Sequence, residues 1–423
     1  MMKGVIILNY SLSVLNKLKD IKEDKDIKTL SSAIFPGTHC PLFGVALTAS
    51  YVKDMAMLVI GTSECTYYTK VFSNNRQKGM DKVYSLVMKE KEVVFGAYEQ
   101  VKMAIEHIIE YEKPSGIMVV TTCVPELIGE DYKDLESSEN NFGIPIFVVQ
   151  TEHYKCNSHI PGIMRALNSF CNIMQKQDDL DGVNILGHRQ SGIENTELFK
   201  VLTSKCIKVN VIIPSKCTIE TIKTAPKAKL NIVTDMIALE LAENMKKNFD
   251  IPYVFFDKNM DKKIINNNYK MISELLSIDL TKYLESMEKE YDECLEKIKK
   301  ITFGKSFIYG NTPMMPCETS SFLIDLGMIP KLIQLKELYN VDLKWKKYIV
   351  DKGYNPYVTR IANIAPLREL YSEIGADIYI GHENPMLLKS KGLKQITLDN
   401  NAQKIGYELP IAIMNDLINK FKD

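Results

Sequence analysis

Gly116-Ile117-Met118-Val119-Val120-Thr121-Thr122-Cys123-Val124-Pro125-Glu126-Leu127-Ile128-Gly129-Glu130-Asp131 changes character in its middle. It begins as an apolar, β-branched run of strand length with no polar alternation, the pattern of a strand buried on both faces. A cysteine follows at once and then Pro125, so the Cys123 side chain is expected to project beyond the edge of a sheet. The same unit recurs along the chain. Residues 57–61, 144–150, 183–187, 209–214, 230–234, 306–310 and 376–381 are short apolar runs followed by helical patterns. Such alternation predicts an α/β fold of parallel sheets covered on both faces by helices. Sites in these sheets gather at the carboxyl ends of strands.

With 423 residues the chain is too long for one compact core and predicts about three domains. A polar break at 176–182 and one long helix expected over 268–302 mark the divisions, giving domains 1–175, 176–300 and 301–423. The stripe Leu284, Met287, Tyr291, Cys294 and Ile298 has helical spacing. Apolar content of 45% and charged content of 25% are ordinary for a soluble globular protein. Lys+Arg and Asp+Glu balance at 53 each, so neither nucleic acid nor an anionic membrane surface is an expected partner. No apolar run approaches the ~20 residues of a spanning helix, and the N-terminal one is too short for a signal peptide. Nine cysteines without regular spacing argue against a disulfide framework. A reducing cytoplasm is the expected location.

Cys40, Cys65 and Cys123 lie 25 and 58 residues apart, each at the end of an apolar stretch. A free cysteine commonly fills a core, and Cys171, Cys206 and Cys294, in helical contexts, are expected to do so. The surroundings of the first three differ. Cys40 and Cys65 are flanked by Gly, Pro, Thr and Ser, residues of tight loops. Thiolates at such turns suit an iron–sulfur cluster, whereas zinc would normally show a local Cys-x-x-Cys pair, and the chain has none. His153, Cys156 and His159 form His-x-x-Cys-x-x-His after the strand 144–150. Such a group would bind a metal, protonate a substrate or ligate an unusual cofactor, unless it is simply an irregular loop. Cys217 also follows a strand, and His188 with Arg189 would suit a substrate carboxylate.

These blocks resemble the nitrogenase component 1 family, which includes nitrogenase subunits, cofactor-assembly scaffolds and dark-operative tetrapyrrole reductases. Gly37-Thr38-His39-Cys40-Pro41-Leu42-Phe43-Gly44 resembles the loop of the first cluster cysteine and Gly61-Thr62-Ser63-Glu64-Cys65-Thr66-Tyr67-Tyr68 that of the second. Residues 121–131 resemble the third, Glu92-Val93-Val94-Phe95-Gly96 a further block, and residues 225–233 a second-domain segment. The resemblance implies three Rossmann-like domains and a cluster, [4Fe–4S] or a larger one like the P-cluster, held by Cys40, Cys65 and Cys123. It also implies a second component-1-like chain, identical or related, that shares the cluster, and a separate iron-protein ATPase as electron donor. The chain's own Gly304-Lys305-Ser306 lacks the upstream glycine of a P-loop, since Lys299 stands there.

The resemblance also has gaps. In the catalytic α subunit of nitrogenase a cysteine after the second-domain strand holds the iron–molybdenum cofactor; here that strand runs into Thr234-Asp235. A C-terminal histidine ligand has no counterpart in residues 395–401. Asp235 is a poor sole anchor for a soft cofactor, so the chain is not expected to be a dinitrogen-reducing α subunit. The leading expectation is a reductase component accepting electrons from an ATP-dependent iron protein. The alternatives are a scaffold on which a metallocluster is assembled without turnover, and a relative that senses redox state.

Overall fold

The computed structural model describes residues 11–28, 30, 40–74, 82–136, 142–189, 191–361 and 364–422. Residues 37–39 of the first cysteine block lie outside these, as does the N-terminal apolar run. The chain falls into two compact units. One gathers residues 38–257 and 268–279; the other gathers the described residues before 38, residues 258–267 and those from 280 on.

Strand β1 (Asn16–Lys17) and strand β2 (Val52–Lys53) are short; helix α1 (Pro41–Tyr51) runs between them in sequence. Pro41 sits at the first turn of α1, where its missing N–H costs nothing. Next come β3 (Met55–Gly61), helix α2 (Ser63–Asn74), β4 (Val83–Val87), and helices α3 (Glu90–Phe95) and α4 (Tyr98–Glu112). They lead to β5 (Gly116–Thr121), helix α5 (Cys123–Leu127), β6 (Ile146–Gln150) and helix α6 (Ile160–Ser169). Strands β3 to β6 form a parallel sheet in the order β4-β3-β5-β6. Every residue of β3 and of β5 is buried, as unbroken apolar runs in a doubly covered sheet should be.

Strands β7 (Val183–His188), β8 (Val209–Pro214), β9 (Cys217–Thr218), β10 (Leu230–Val233) and β11 (Tyr253–Phe255) follow. They form a second parallel sheet, β11-β10-β7-β8, while β9 pairs with β2. Both sheets belong to the same unit and share one apolar core. Val45 of α1 and Ile163 of α6 lie in it with Val59 and Val120 of the first sheet and Leu186 and Val233 of the second. The remaining face of the first sheet is covered through Val101, Ile105 and Ile108 of α4.

The other unit carries β12 (Ser306–Tyr309), β13 (Ile329–Leu335), β14 (Tyr357–Arg360), β15 (Ile378–Ile380) and β16 (Lys394–Ile396), in the order β1-β14-β13-β12-β15-β16. Only β1 runs antiparallel. The fold is thus the expected one, mixed α/β with three parallel Rossmann-like sheets flanked by helices.

One expected element differs. The helix foreseen over 268–302 is two helices, Lys262–Leu276 and Thr281–Thr302. Ser277 takes a left-handed φ of 53° between them, and the Ile278 amide turns back to the Ser273 carbonyl at 3.0 Å. Leu284, Tyr291, Cys294 and Ile298 of the stripe are buried, and Met287 is half-buried. Among the described residues, no helix is long and apolar enough to cross a membrane.

Candidate functional site

The first sheet reverses its winding at β3, with β4 on one side and β5 and β6 on the other. In a parallel sheet the crevice at such a reversal, outside the carboxyl ends, is where ligands bind. The segments leaving β3 and β5 emerge there side by side. Gly61 at the end of β3 makes room for the neighbour: a Cβ on it would lie 1.9 Å from Thr122 Oγ1.

Cys65 and Cys123 stand on these two segments, and all three cysteines of the expected ligand set lie at helix starts. Cys123 is the first residue of α5 and Cys65 the third of α2. Cys40 caps α1, its Sγ accepting the Leu42 amide at 3.3 Å. Cys40 and Cys65 therefore begin helices rather than sit in tight loops, because their Pro, Thr and Ser neighbours are also the residues that start helices. Thr62 Oγ1 donates to Cys65 Sγ at 3.5 Å.

The three sulfurs are close enough to feel one another's charge. Desolvation is the largest cause pushing the Cys40 thiol up, and the neighbouring Cys123 and Cys65 add to it against two backbone amides. Cys123 is pushed up in the same way, by desolvation first, with the Tyr154 hydroxyl opposing and Cys65 and Glu126 adding to it. Crowded thiols in each other's field need positive charge before they can all ionise. Among the described residues, no three His, Cys, Asp or Glu side chains are gathered tightly enough for a single metal ion. A purely thiol donor set spread about one crevice fits a polynuclear iron–sulfur body better than an isolated ion.

Around Cys123 the site is organised by Glu126, on the next turn of α5. Its Oε1 accepts Thr121 Oγ1 at 2.7 Å, the Thr151 amide at 2.6 Å and Thr151 Oγ1 at 3.0 Å; its Oε2 accepts the Glu152 amide at 2.9 Å. These bonds tie the end of β6 to α5. Glu152 adopts a left-handed φ of 44°, uncommon for a residue other than glycine. Arg165 of α6 helps hold it, through the Thr151 carbonyl at 2.5 Å and Glu152 Oε2 at 2.6 Å. Lys155 and then Arg165 keep the Glu152 carboxyl below its usual range. Beyond this bend His153 Nδ1 lies 3.2 Å from Cys123 Sγ, and Tyr154 Oη donates to the Cys123 carbonyl at 3.0 Å.

His153, Cys156 and His159 do not converge. Cys156 Sγ donates to the Glu152 carbonyl at 3.3 Å and receives Arg165 Nη1 at 3.5 Å. His159 caps α6 and sets its ring against Phe43, centroids 5.7 Å apart. Cys217 is buried, donates to the Pro214 carbonyl at 3.2 Å, and is pushed up to about 12 by burial. His188 is buried at the end of β7. At the reversal of the second sheet Arg189 Nη2 lies 3.5 Å from Asp235 Oδ2, and Asp235 Oδ1 accepts the Ile237 amide at 3.2 Å. Cys317 is fully buried in the helix Pro316–Asp325 and Cys294 is core, but Cys206 is exposed, just past the helix Glu197–Ser204. Glu126, Thr151, Tyr154 and Arg165 were not singled out from the sequence. Glu126 three residues after Cys123 was the one visible signal.

Residues 40–421 match the family model of nitrogenase component 1 type oxidoreductases. The chain is 26% identical to the nitrogenase iron-molybdenum cofactor biosynthesis protein NifE of Clostridium pasteurianum, over 83% of this chain and 79% of that one. It is 24% identical to a nitrogenase iron-iron protein beta chain of Rhodobacter capsulatus, over 84% of each. A solved structure of nitrogenase Cp1 at pH 6.5 superposes with a TM-score of 0.77 at 16% identity, over 98% of this chain and 97% of that chain. That last likeness is one of fold.

Proposed function

The chain belongs to the nitrogenase component 1 type oxidoreductase family, and on that premise we propose that it is an iron–sulfur subunit that accepts electrons from an ATP-dependent iron protein and reduces a conjugated or otherwise hard-to-reduce substrate. The observation that carries this reading is that three thiols, Cys40, Cys65 and Cys123, each at a helix start, lie within one another's electrostatic reach. In this reading they hold a [4Fe–4S] or larger cluster, which when bound supplies one-electron transfer. The residues themselves supply thiolates, backbone amides that favour negative charge at helix N-termini, and a rigid frame through Glu126.

A second component-1-like chain, identical or related, completes the coordination. Its support is the apolar surface at the same edge of the first sheet. Tyr67 and Tyr68 of α2, Val94 and Phe95 of α3, Leu127 of α5 and Tyr154 all follow strands of this sheet and are all exposed. Large apolar side chains gathered at one edge mark an interaction surface.

One observation favours the second reading, a scaffold for metallocluster assembly. Asp235 is already paired with Arg189, so the second-sheet crevice offers a committed carboxylate where a permanent soft cofactor would want a thiolate. The likeness to NifE over most of both chains points the same way.

Anaerobic purification with the partner chain, iron counting and paramagnetic resonance test the shared premise. Iron and a cluster signal are expected, and Cys123→Ala is expected to abolish or alter that signal. A wild type without iron, or a Cys123→Ala spectrum identical to wild type, refutes the ligand assignment. Reduction of the cluster on adding the iron protein and ATP then favours the reductase; transfer of radioiron-labelled cluster to an acceptor chain favours the scaffold.

A further inference from the structure

The turn after β6 aims two consecutive side chains at one residue: His153 at the Cys123 sulfur, 3.2 Å away, and Tyr154 at the Cys123 carbonyl, 3.0 Å away. This aim depends on the left-handed Glu152, a backbone state that persists only where its surroundings enforce it. Here they do, through the Glu126 carboxylate on the Thr151 and Glu152 amides and Arg165 on the Thr151 carbonyl and the Glu152 carboxylate. A metal-bound thiolate carries no proton, so its sulfur can only accept. A histidine nitrogen facing it must then be the N–H bearing one.

We propose that His153 donates its Nδ1–H to the Cys123 sulfur and thereby raises the reduction potential of the cluster, an inference that rests on the iron–sulfur reading above. The sign follows from charge. Reduction places more negative charge on the cluster and its sulfur ligands, and a donor to sulfur stabilises the reduced form more than the oxidised one. His153 is therefore a tuning and positioning residue. Cys156 and His159, its companions in the sequence motif, face other partners and carry no share of this role.

The test is a potentiometric titration followed by paramagnetic resonance, on protein purified anaerobically with its partner chain. His153→Phe keeps a ring and removes the donor; His153→Gln keeps a side-chain N–H. With iron content unchanged, His153→Phe is expected to make reduction about tenfold less favourable, a potential about 59 mV more negative for one electron. The Fe–S(Cys) stretch in resonance Raman should rise with it, and His153→Gln should stay nearer wild type. An unchanged or more positive potential at full iron content overturns the proposal. Should His153→Phe lose its iron, electron–nuclear double resonance on the wild type decides. A weakly coupled exchangeable deuteron after transfer to heavy water supports the N–H···S bond; its absence, or a nitrogen bound directly to iron, overturns it. A wild type without iron fails before any variant is made, and that failure belongs to the iron–sulfur reading.

Discussion

Glu126 receives four hydrogen bonds, from Thr121, from the amide and hydroxyl of Thr151, and from the Glu152 amide. Glu126→Ala leaves two amides and two hydroxyls facing a gap, and hydrogen bonds to a charged group carry ~1.5–3 kcal/mol each before water replaces some of them. The expected outcome is a loss of about 2 kcal/mol in urea unfolding, with the paramagnetic signal of the assembled protein broadened because the His153 turn loses its anchor. Cys217 gives a pH prediction. Its thiol is pushed up from the ordinary value of 9.0 to about 12 by burial, so the stabilisation is complete below about pH 9 and is lost as pH rises toward 12. The lost part amounts to about 4 kcal/mol at most. Melting temperature should fall between about pH 9 and 11, and less steeply in Cys217→Ala; equal slopes in the two proteins refute the assignment. At this scale Cys40, Cys65 and Cys123 stood out from the other cysteines because Gly, Pro, Thr and Ser surround them, residues that suggest tight loops but here start helices. The His153–Cys123 contact was not, since 30 residues separate the pair and a non-glycine left-handed bend aims the ring. Local sequence carries no mark of such a bend.

Helices α1 and α6 cross with reciprocal glycines. A Cβ on Gly44 would lie 2.0 Å from the His159 carbonyl oxygen, and one on Gly162 would lie 2.0 Å from the Pro41 carbonyl oxygen. Helix propensity alone favours alanine over glycine by about 1 kcal/mol at an interior position. Backbone here blocks the added methyl, so Gly44→Ala and Gly162→Ala are each expected to destabilise, by about 1–3 kcal/mol, and to displace Cys40 at the head of α1. Thermal unfolding checks the sign, and a stabilised variant would contradict the crossing. In the other unit Arg360, at the end of β14, grips the N-terminal segment. Its guanidinium meets both Asp24 carboxylate oxygens at 2.7 Å, the Asp24 carbonyl at 2.6 Å and the Lys336 carbonyl at 2.9 Å. Asp24→Ala strands a nearly buried cation, which costs about 3–5 kcal/mol, and limited proteolysis should then cut the segment around residue 24 first. Long apolar strands such as β5 were legible because they are buried on both faces. The short β14 and β16 and the edge strand β4 were not, because their few residues mix polar and apolar types and only their neighbours make them strands. The break at Ser277 escaped for a similar reason: the apolar stripe continues on its far side without a glycine or proline to announce a stop.

All three sheets share a device with different contents. In each, the group's first strand lies beside the strand where winding reverses, β3 beside β5, β7 beside β10, β12 beside β15. Thiols stand at the first reversal, an Arg189–Asp235 pair at the second, and at the third an Asn311–His382 backbone bridge joins the two segments. Cys65 and Cys123 thus stand at the first reversal, on helices whose Tyr67, Tyr68 and Leu127 are exposed, beside the exposed Val94 and Phe95 of α3. Val94 and Phe95 are 71% and 82% exposed, so replacing both by serine removes little from the folded subunit, within about 0.5 kcal/mol. If the edge receives the second chain, the same change takes apolar anchors out of an interface, where they are commonly worth more than 1 kcal/mol each. The Val94→Ser/Phe95→Ser protein should therefore melt like wild type, yet associate at least about tenfold more weakly in sedimentation velocity. Its iron content should fall in parallel, because ligands divided between two chains hold a cluster only while the chains are joined. Phe303, 84% exposed on the other unit, is the control, and Phe303→Ser should leave association and iron unchanged. Equal loss in both variants would show a general solubility effect; loss of association with iron retained would mean that this chain's three cysteines hold the cluster without a partner.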